Sequence, residues 1–351
     1  MHPCFRPIYV AILAILVPVG MLPMTGAARA DGPGYTVLET WHLPGAVRWD
    51  YLTFDPVGRR LFVTRGGSVD VLDVTTGKVI GSIPDTRGAH GVALTPDIGK
   101  GFVSDGAANT VTVFDLATLK TIATVPTGTK PDAIVYDTAS RRVFAANGDS
   151  SDLTVIDAVT DGVIGTVALG GRPEFAAVDG KGRLYVNLED ISKVAVIDTV
   201  GLKVVATYDL GSVCNAPAGL AIDTTKNRLF STCRNRVMAV VDATTGALQA
   251  SLPIGASTDA AAYDPETGLA FSSNGDGTLT VIDASRPDHL TVVQTVPTMP
   301  TARTMALDPS THRIWLAAAE TDGFEAPTAE RLHPRPHLKP GSFMILTVGP
   351  R

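Results

Sequence analysis

Seven positions of the 351-residue chain follow one another at steps of 40, 42, 42, 44, 41 and 44 residues: Asp50, His90, Asp132, Glu174, Ala218, Asp259 and Arg303. Six of the seven are ionisable, in a stretch whose neighbours are small or apolar. If the fold brings this position together, four carboxylates, an imidazole and a guanidinium share one small volume. Carboxylates crowded together hold their protons to higher pH, and a cation relieves the repulsion. His90, Asp132, Glu174 and Asp259 offer nitrogen and oxygen donors suited to a divalent metal, the one cofactor these residues suggest. Such a metal would polarise a carbonyl and activate water, which is hydrolase chemistry of the lactonase or esterase type. Arg303 points instead to an anionic ligand or an internal ion pair. The plainer alternative is a solvated channel lining.

A second set of polar residues accompanies the first: Arg65, Asp105, Asn147, Asn187, Glu189, Cys233 and Asn274. Asn187, Glu189 and Asn274 join Asp50, His90, Asp132, Glu174, Asp259 and Arg303 as ligand-binding candidates. Asn147-Gly148 and Asn274-Gly275 also read as ordinary turn pairs. Cys214 and Cys233 fall 19 residues apart, and no His or Lys adjoins either in sequence. A reactive pair therefore has little support. A disulfide is expected, closing a loop whose constraint is worth roughly 3 kcal/mol.

The elements that position these residues repeat with them. Leu52-Thr-Phe-Asp-Pro56, Ile134-Val-Tyr-Asp137, Leu220-Ala-Ile-Asp223 and Met305-Ala-Leu-Asp-Pro309 are copies of one short core. A Gly-, Arg- and Asp-rich turn follows, then a second segment such as Arg59-Arg-Leu-Phe-Val63. A third alternates and ends in Asp, as in Val69-Asp-Val-Leu-Asp73 and Leu279-Thr-Val-Ile-Asp283, and a fourth is Val79-Ile-Gly-Ser-Ile83 or its equivalents. Period-two alternation of Val, Ile, Thr and Phe is strand chemistry. Seven units of four strands predict an all-β, seven-bladed β-propeller of four-stranded antiparallel blades. The seventh unit, ending with Phe343–Val348, lacks an outer strand. Thr36–Trp41 can supply it, closing the ring with the N-terminal strand.

Units such as Val111-Thr-Val-Phe-Asp115 with Thr121–Pro126, and Leu153-Thr-Val-Ile-Asp157 with Val163–Val167, resemble the YVTN repeats of YncE-like bacterial β-propellers. The likeness spans nearly all of residues 35–349. The nearest versions of the signature strand are Tyr185-Val-Asn187 and Phe102-Val-Ser-Asp105, so the match is one of pattern. The resemblance implies a soluble, exported seven-bladed propeller and implies much less about activity.

Both ends and one insertion stand apart from the repeats. Arg6, the apolar run Ile8–Val19 and Ala28-Arg29-Ala30 read as a signal peptide over residues 1–30, cut after Ala30. Residues 31–351 would then form a single propeller domain, periplasmic or secreted, without a membrane span. An insertion over residues 320–341 carries Pro327, Pro334, Pro336 and Pro340 with His333 and His337. It reads as a proline-rich loop or, functionally, as a lid or a source of imidazole beside His90.

Composition narrows the function. Lys plus Arg total 29 against 35 Asp plus Glu, a net charge of −6, so a nucleic-acid partner is not expected. The chain has no Gly-x-Ser-x-Gly elbow, no Walker loop and no His-Glu-x-x-His. The first expectation is a monomeric binding module that holds a small-molecule ligand or an envelope protein through its channel-mouth face. The alternative is the metal-dependent hydrolase. An electron-transfer or cofactor-associated propeller is a third reading, by fold analogy alone.

Overall fold

The computed structural model describes residues 1–2, 34–324 and 336–351. The proposed leader and its cleavage site lie outside these residues, as does His333.

Twenty-eight strands form seven four-stranded antiparallel sheets. The inner strands of blades 1 to 7 are Leu52–Asp55, Ala89–Thr95, Pro131–Asp137, Pro173–Val178, Pro217–Asp223, Thr258–Asp264 and Thr304–Asp308. In blades 1 to 6 the strands follow in chain order from channel to rim. Blade 7 runs Thr304–Asp308, Arg313–Ala318, Met344–Pro350 and then Tyr35–His42. The N-terminal strand pairs antiparallel with the C-terminal one, Trp41 opposite Ile345. The ring is closed as the sequence predicts. Arg59 of blade 1 adds an ion pair to the buried Asp308 of blade 7 at 2.6 Å.

The recurring Asp residues are turn builders. Each third-strand Asp folds its carboxylate back onto the next backbone N–H groups. Asp73 accepts from Thr75 and Thr76, Asp157 from Val159 and Thr160, and Asp242 from Thr244 and Thr245, at 2.8–3.0 Å. These bonds favour the charged form, so the carboxyls of Asp73, Asp157 and Asp242 lie below the usual range. Inner-strand Asp55, Asp223 and Asp308 do the same for the first turn.

The core lies in slices between neighbouring blades. One position of the second strand is aromatic in all seven: Phe62, Phe102, Phe144, Tyr185, Phe230, Phe271 and Trp315, each buried. Phe62 meets Phe114 of blade 2, Phe230 meets Tyr263 of blade 6, and Trp315 meets Phe54 of blade 1. Burying such a ring contributes about 1.5–3 kcal/mol.

Every outer strand carries an extra residue at the same place in its ladder, at Ile80, Ile122, Ile164, Val205, Gln249, Val293 and Leu38. All seven are exposed. A bulge twists an edge strand away from the flat geometry that would pair with another chain. The rim is therefore guarded by the same device in each blade.

The 320–341 insertion departs from a plain loop. Its flanks, Thr321–Phe324 and Pro336–Leu338, form a two-stranded ladder. His337 bonds Asp322 and Lys339 bonds Glu320 within that stem, which occupies the imidazole there.

Candidate functional site

Five of the seven repeat-position residues lie in an irregularity of the inner strand itself. The ladder of blade 2 jumps between Ala89 and Val92, of blade 3 between Pro131 and Ile134, of blade 4 between Pro173 and Ala176, and of blade 5 between Pro217 and Leu220. His90, Asp132, Glu174 and Ala218 occupy those gaps. Asp259 sits at the equivalent shift of blade 6, Arg303 directly precedes its strand, and Asp50 stands two residues before its own. A bulge re-aims its side chain away from the ladder. Here it frees the ring residues from pairing and lets them face the channel mouth.

Their backbones are fixed by the neighbouring blades. Tyr51 N–H donates to the carbonyl of His90 at 3.0 Å. The Ser104 hydroxyl donates to Asp132 O at 2.5 Å, the Asn187 amide to Ala218 O at 2.7 Å, and the Ser273 hydroxyl to Arg303 O. Asn187 thus belongs to the frame. It is fully buried, and its amide oxygen accepts from Ser231. Asn274 is equally buried, its amide spent on Thr278 and Thr280 and its oxygen on Ser272. Both were read from the sequence as ligand contacts. Their hydrogen-bonding capacity is directed into the blades, because a buried amide must find partners.

The charged groups fall into two arcs. On blades 1 to 3, His90 Nδ1 lies 2.5 Å from Asp50 Oδ2 and 3.6 Å from Asp132 Oδ1. These three residues can each offer a ligand atom within 4.8 Å of the others. On blades 4 to 7, carboxylates are paired with guanidinium groups. Arg303 Nε stands 3.0 Å from Asp259 Oδ2. Arg234 bridges Glu174 at 3.3 Å and Glu189 at 2.8 Å. Glu174 and Asp259, proposed as metal donors beside His90 and Asp132, are thus engaged with arginines, and Glu189 stands with them.

Arg234 was missed in the sequence. It follows Cys233 at the end of the second strand of blade 5, whose ring position is the uncharged Ala218. Its backbone N–H donates to Asn215 O at 3.0 Å. Asn215 follows Cys214, and Cys214 and Cys233 form the expected disulfide, both cysteines fully buried. The signal was the Ala: one gap in a ring of charges, with a cation one residue past the second-strand end of the same blade.

Crowding and burial shift the protons. Burial, with Asp50 adding repulsion, pushes the Asp132 carboxyl up to about 7. Burial and then Asp259 push Glu174 well above the carboxylate range. Asp259 is raised by burial, although Arg303 opposes the shift. Burial works against a charged His90, yet the hydrogen bond to Asp50 and the charge of Asp132 outweigh it and raise its pKa.

Below the mouth two rings reach across the channel. Tyr51 of blade 1 and Phe175 of blade 4 meet edge to face at 5.1 Å. A cavity of about 70 Å³ lies beside them, lined by Val92, Ala133, Ile134 and Ala176.

No family model and no curated protein matches the chain. Solved structures do. A chain of hydrazine synthase from Kuenenia stuttgartiensis superposes with a TM-score of 0.68 at 18% identity, covering 79% of this chain and 94% of that one. A chain of the mitotic checkpoint complex superposes with a TM-score of 0.73 at 15% identity, covering 96% and 99%. The protein U3-55K gives 0.72 at 12%, covering 89% and 99%. At such identities the likeness establishes the propeller fold, which hosts many unrelated functions. Of the resemblance to YncE-like propellers, the fold it implies is established and the family is not.

Proposed function

We propose that the protein is an exported binding module whose channel mouth holds a small ligand through a cationic group. The observation that carries this reading is the unequal compensation of the two arcs. Glu174, Glu189 and Asp259 each stand against an arginine. Asp50 and Asp132 share only His90, with no Lys or Arg within ion-pair distance among the described residues. The mouth carries five carboxylates, Asp50, Asp132, Glu174, Glu189 and Asp259, and the arginines that reach them, Arg303, Arg234 and Arg172 (3.8 Å from Glu189), all stand on the second arc. A cation entering beside Asp132 would relieve repulsion that the fold maintains at a cost. A buried disulfide fits maturation in an oxidising compartment, as the leader reading requires. Among the described residues no helix is long and apolar enough to cross a membrane.

Calorimetric titration with butylammonium chloride tests this reading. Saturable binding, lost in Asp132→Asn, is expected. Absence of binding by any ammonium compound would overturn it.

A second reading keeps a divalent metal at Asp50, His90 and Asp132, with hydrolase chemistry at the mouth. The proximity of the three donors favours it. Against it stands the 2.5 Å contact between His90 Nδ1 and Asp50 Oδ2, which is a hydrogen bond. Two donors on one ion at about 2.0–2.2 Å stand roughly 3 Å apart. That pair must therefore open, or His90 must turn its other nitrogen to the ion. Metal content of protein purified without a histidine tag, with the Asp132→Ala and Asp50→Ala variants, separates the readings. One equivalent of tightly held divalent metal, lost in both variants, would favour the hydrolase.

A further inference from the structure

We infer that the ligand of the channel mouth is a small zwitterion, with its ammonium group held beside Asp132 and its carboxylate on Arg303. This rests on the binding reading proposed above and narrows it to a chemical class.

The argument begins with Arg303. Its side chain is half exposed, and its Nε edge is held by Asp259 at 3.0 Å. Neither Nη nitrogen makes a hydrogen bond among the described residues. The guanidinium is thus clamped on one edge and open on the other. A planar fork of two N–H groups fits a carboxylate with two parallel bonds, which an ammonium cannot offer. Its backbone is fixed as well, since its carbonyl accepts from the Ser273 hydroxyl. The same support holds Asp132 and Ala218, so it fixes the place of Arg303 in the ring while the open edge of the guanidinium carries the argument.

Blade order places the complementary charge opposite. In a closed ring of seven, blade 3 is as far from blade 7 as any blade can be. Asp132 is on blade 3 and Arg303 on blade 7. Asp132 lies beside the Asp50–His90 pair, on the arc that has no guanidinium partner. The mouth therefore presents an open anionic side and an open cationic edge across the channel.

Single charges fit this arrangement poorly. A lone carboxylate reaching Arg303 meets five carboxylates around it. A lone ammonium at Asp132 leaves the open edge of Arg303 unused. A zwitterion carries no net charge into the site and satisfies both ends. The cavity beneath, about 70 Å³ and lined by Tyr51, Thr53, Phe175 and aliphatic side chains, limits what can hang below the charged plane. A cavity of 150 Å³ accepts benzene, so about half that volume takes roughly three carbons.

The test uses the unaltered full chain. Binding is measured by calorimetry for ω-amino acids from glycine to 6-aminohexanoate, each with the amine and the carboxylate of matched length. One member of the series is expected to bind at least tenfold tighter than both of its single-charge analogues. Arg303→Met should then reduce that amino acid to the affinity of its amine, and Asp132→Asn to that of its carboxylate. If every amine binds as tightly as its amino acid, the zwitterion is wrong while the cationic-ligand reading stands. If a carboxylate binds tighter than its amino acid, both fall. If nothing in the three series binds, both fall as well. The ligand comparison on the unaltered chain decides the matter even if a variant does not fold.

Discussion

The phenolic hydroxyl of Tyr51 in blade 1 donates to the main-chain carbonyl of Glu174 in blade 4, 3.3 Å away. One side chain thus crosses the channel and fixes the backbone of a charged residue on the far side. The surrounding acids matter to this bond. Burial and the charges of Asp132, Glu174 and Asp50 push the Tyr51 phenol well above its usual range. It is therefore a donor at neutral pH. The mouth consequently has a floor, and ligands are confined above Tyr51 or in the small cavity beside it.

Tyr51→Phe isolates the hydrogen bond. It keeps the edge-to-face contact with Phe175 and removes only the hydroxyl. A loss of about 1 kcal/mol in urea unfolding is expected, the ordinary worth of one such bond. Tyr51→Ala removes the packing too and should cost about 3–5 kcal/mol. Equal losses in the two variants would contradict the bridging role assigned to the hydroxyl.

Phe102 tests the aromatic position that all seven blades share. It is fully buried and packs with Val111 and Val143 between blades 2 and 3. Phe102→Ala should cost about 3–5 kcal/mol, and Phe102→Leu much less, because volume is nearly kept. Chemical denaturation of both variants measures the difference.

The fold was legible because its repeat is written in residues with separate physical jobs. The Asp that ends a strand also builds the next turn, so its spacing marks both strand and turn. The ring of Asp50, His90, Asp132, Glu174, Asp259 and Arg303 followed from registering that spacing. Its internal wiring did not. Asn187 looks like an exposed strand end until its hydrogen bonds are counted. Arg234 stands one residue past the second strand of blade 5, where other blades carry Gly106, Gly148 and Gly275, and only the uncharged Ala218 in the ring of charges points to it. Tyr51 and Phe175 did leave a trace. They occupy a position filled elsewhere by Gly91, Ala133, Gly219, Ala260 and Thr304. The two large side chains in a ring of small ones are the two that meet.

The disulfide and Arg234 should prove separable. A Cys214→Ala/Cys233→Ala variant is expected to lose roughly 3 kcal/mol, the worth of closing a loop of this size. Arg234→Met should leave that stability nearly intact, since the side chain is half exposed and such pairs contribute little. Its effect is electrostatic instead. Arg234 holds the Glu174 pKa down, so its removal should drive that carboxyl higher still. Carbon-detected NMR titration of the glutamate carboxyls reads this directly. An unchanged Glu174 would show that the pair does not persist in solution.

Stability should depend on pH in the direction opposite to that of most carboxylate-rich proteins. In the folded chain Asp132 titrates at about 7, against about 3.9 for an unfolded Asp. The folded state therefore binds more protons than the unfolded state across that window, and stability falls as pH rises through it. His90 acts with the same sign. Its pKa is raised on folding, so its contribution is present below its unfolded value near 6.5 and is lost above the folded one. Glu174 and Asp259, also raised, add to the trend. Asp50, Asp259, His90 and Lys130 are the charged groups that set the Asp132 shift. The turn carboxylates oppose all of this only at lower pH. Asp73, Asp115, Asp157, Asp198 and Asp242 are depressed, so their stabilisation is complete above about pH 4 and fades beneath it. The melting temperature should peak on the acid side of neutrality and decline from about pH 5 to pH 8. Asp132→Asn, which carries no proton to lose, should flatten that decline without moving the acid limb. A melting temperature that rises steadily from pH 5 to pH 8 would mean that the mouth carboxylates are solvated and independent, and with them the basis for a charged ligand would go.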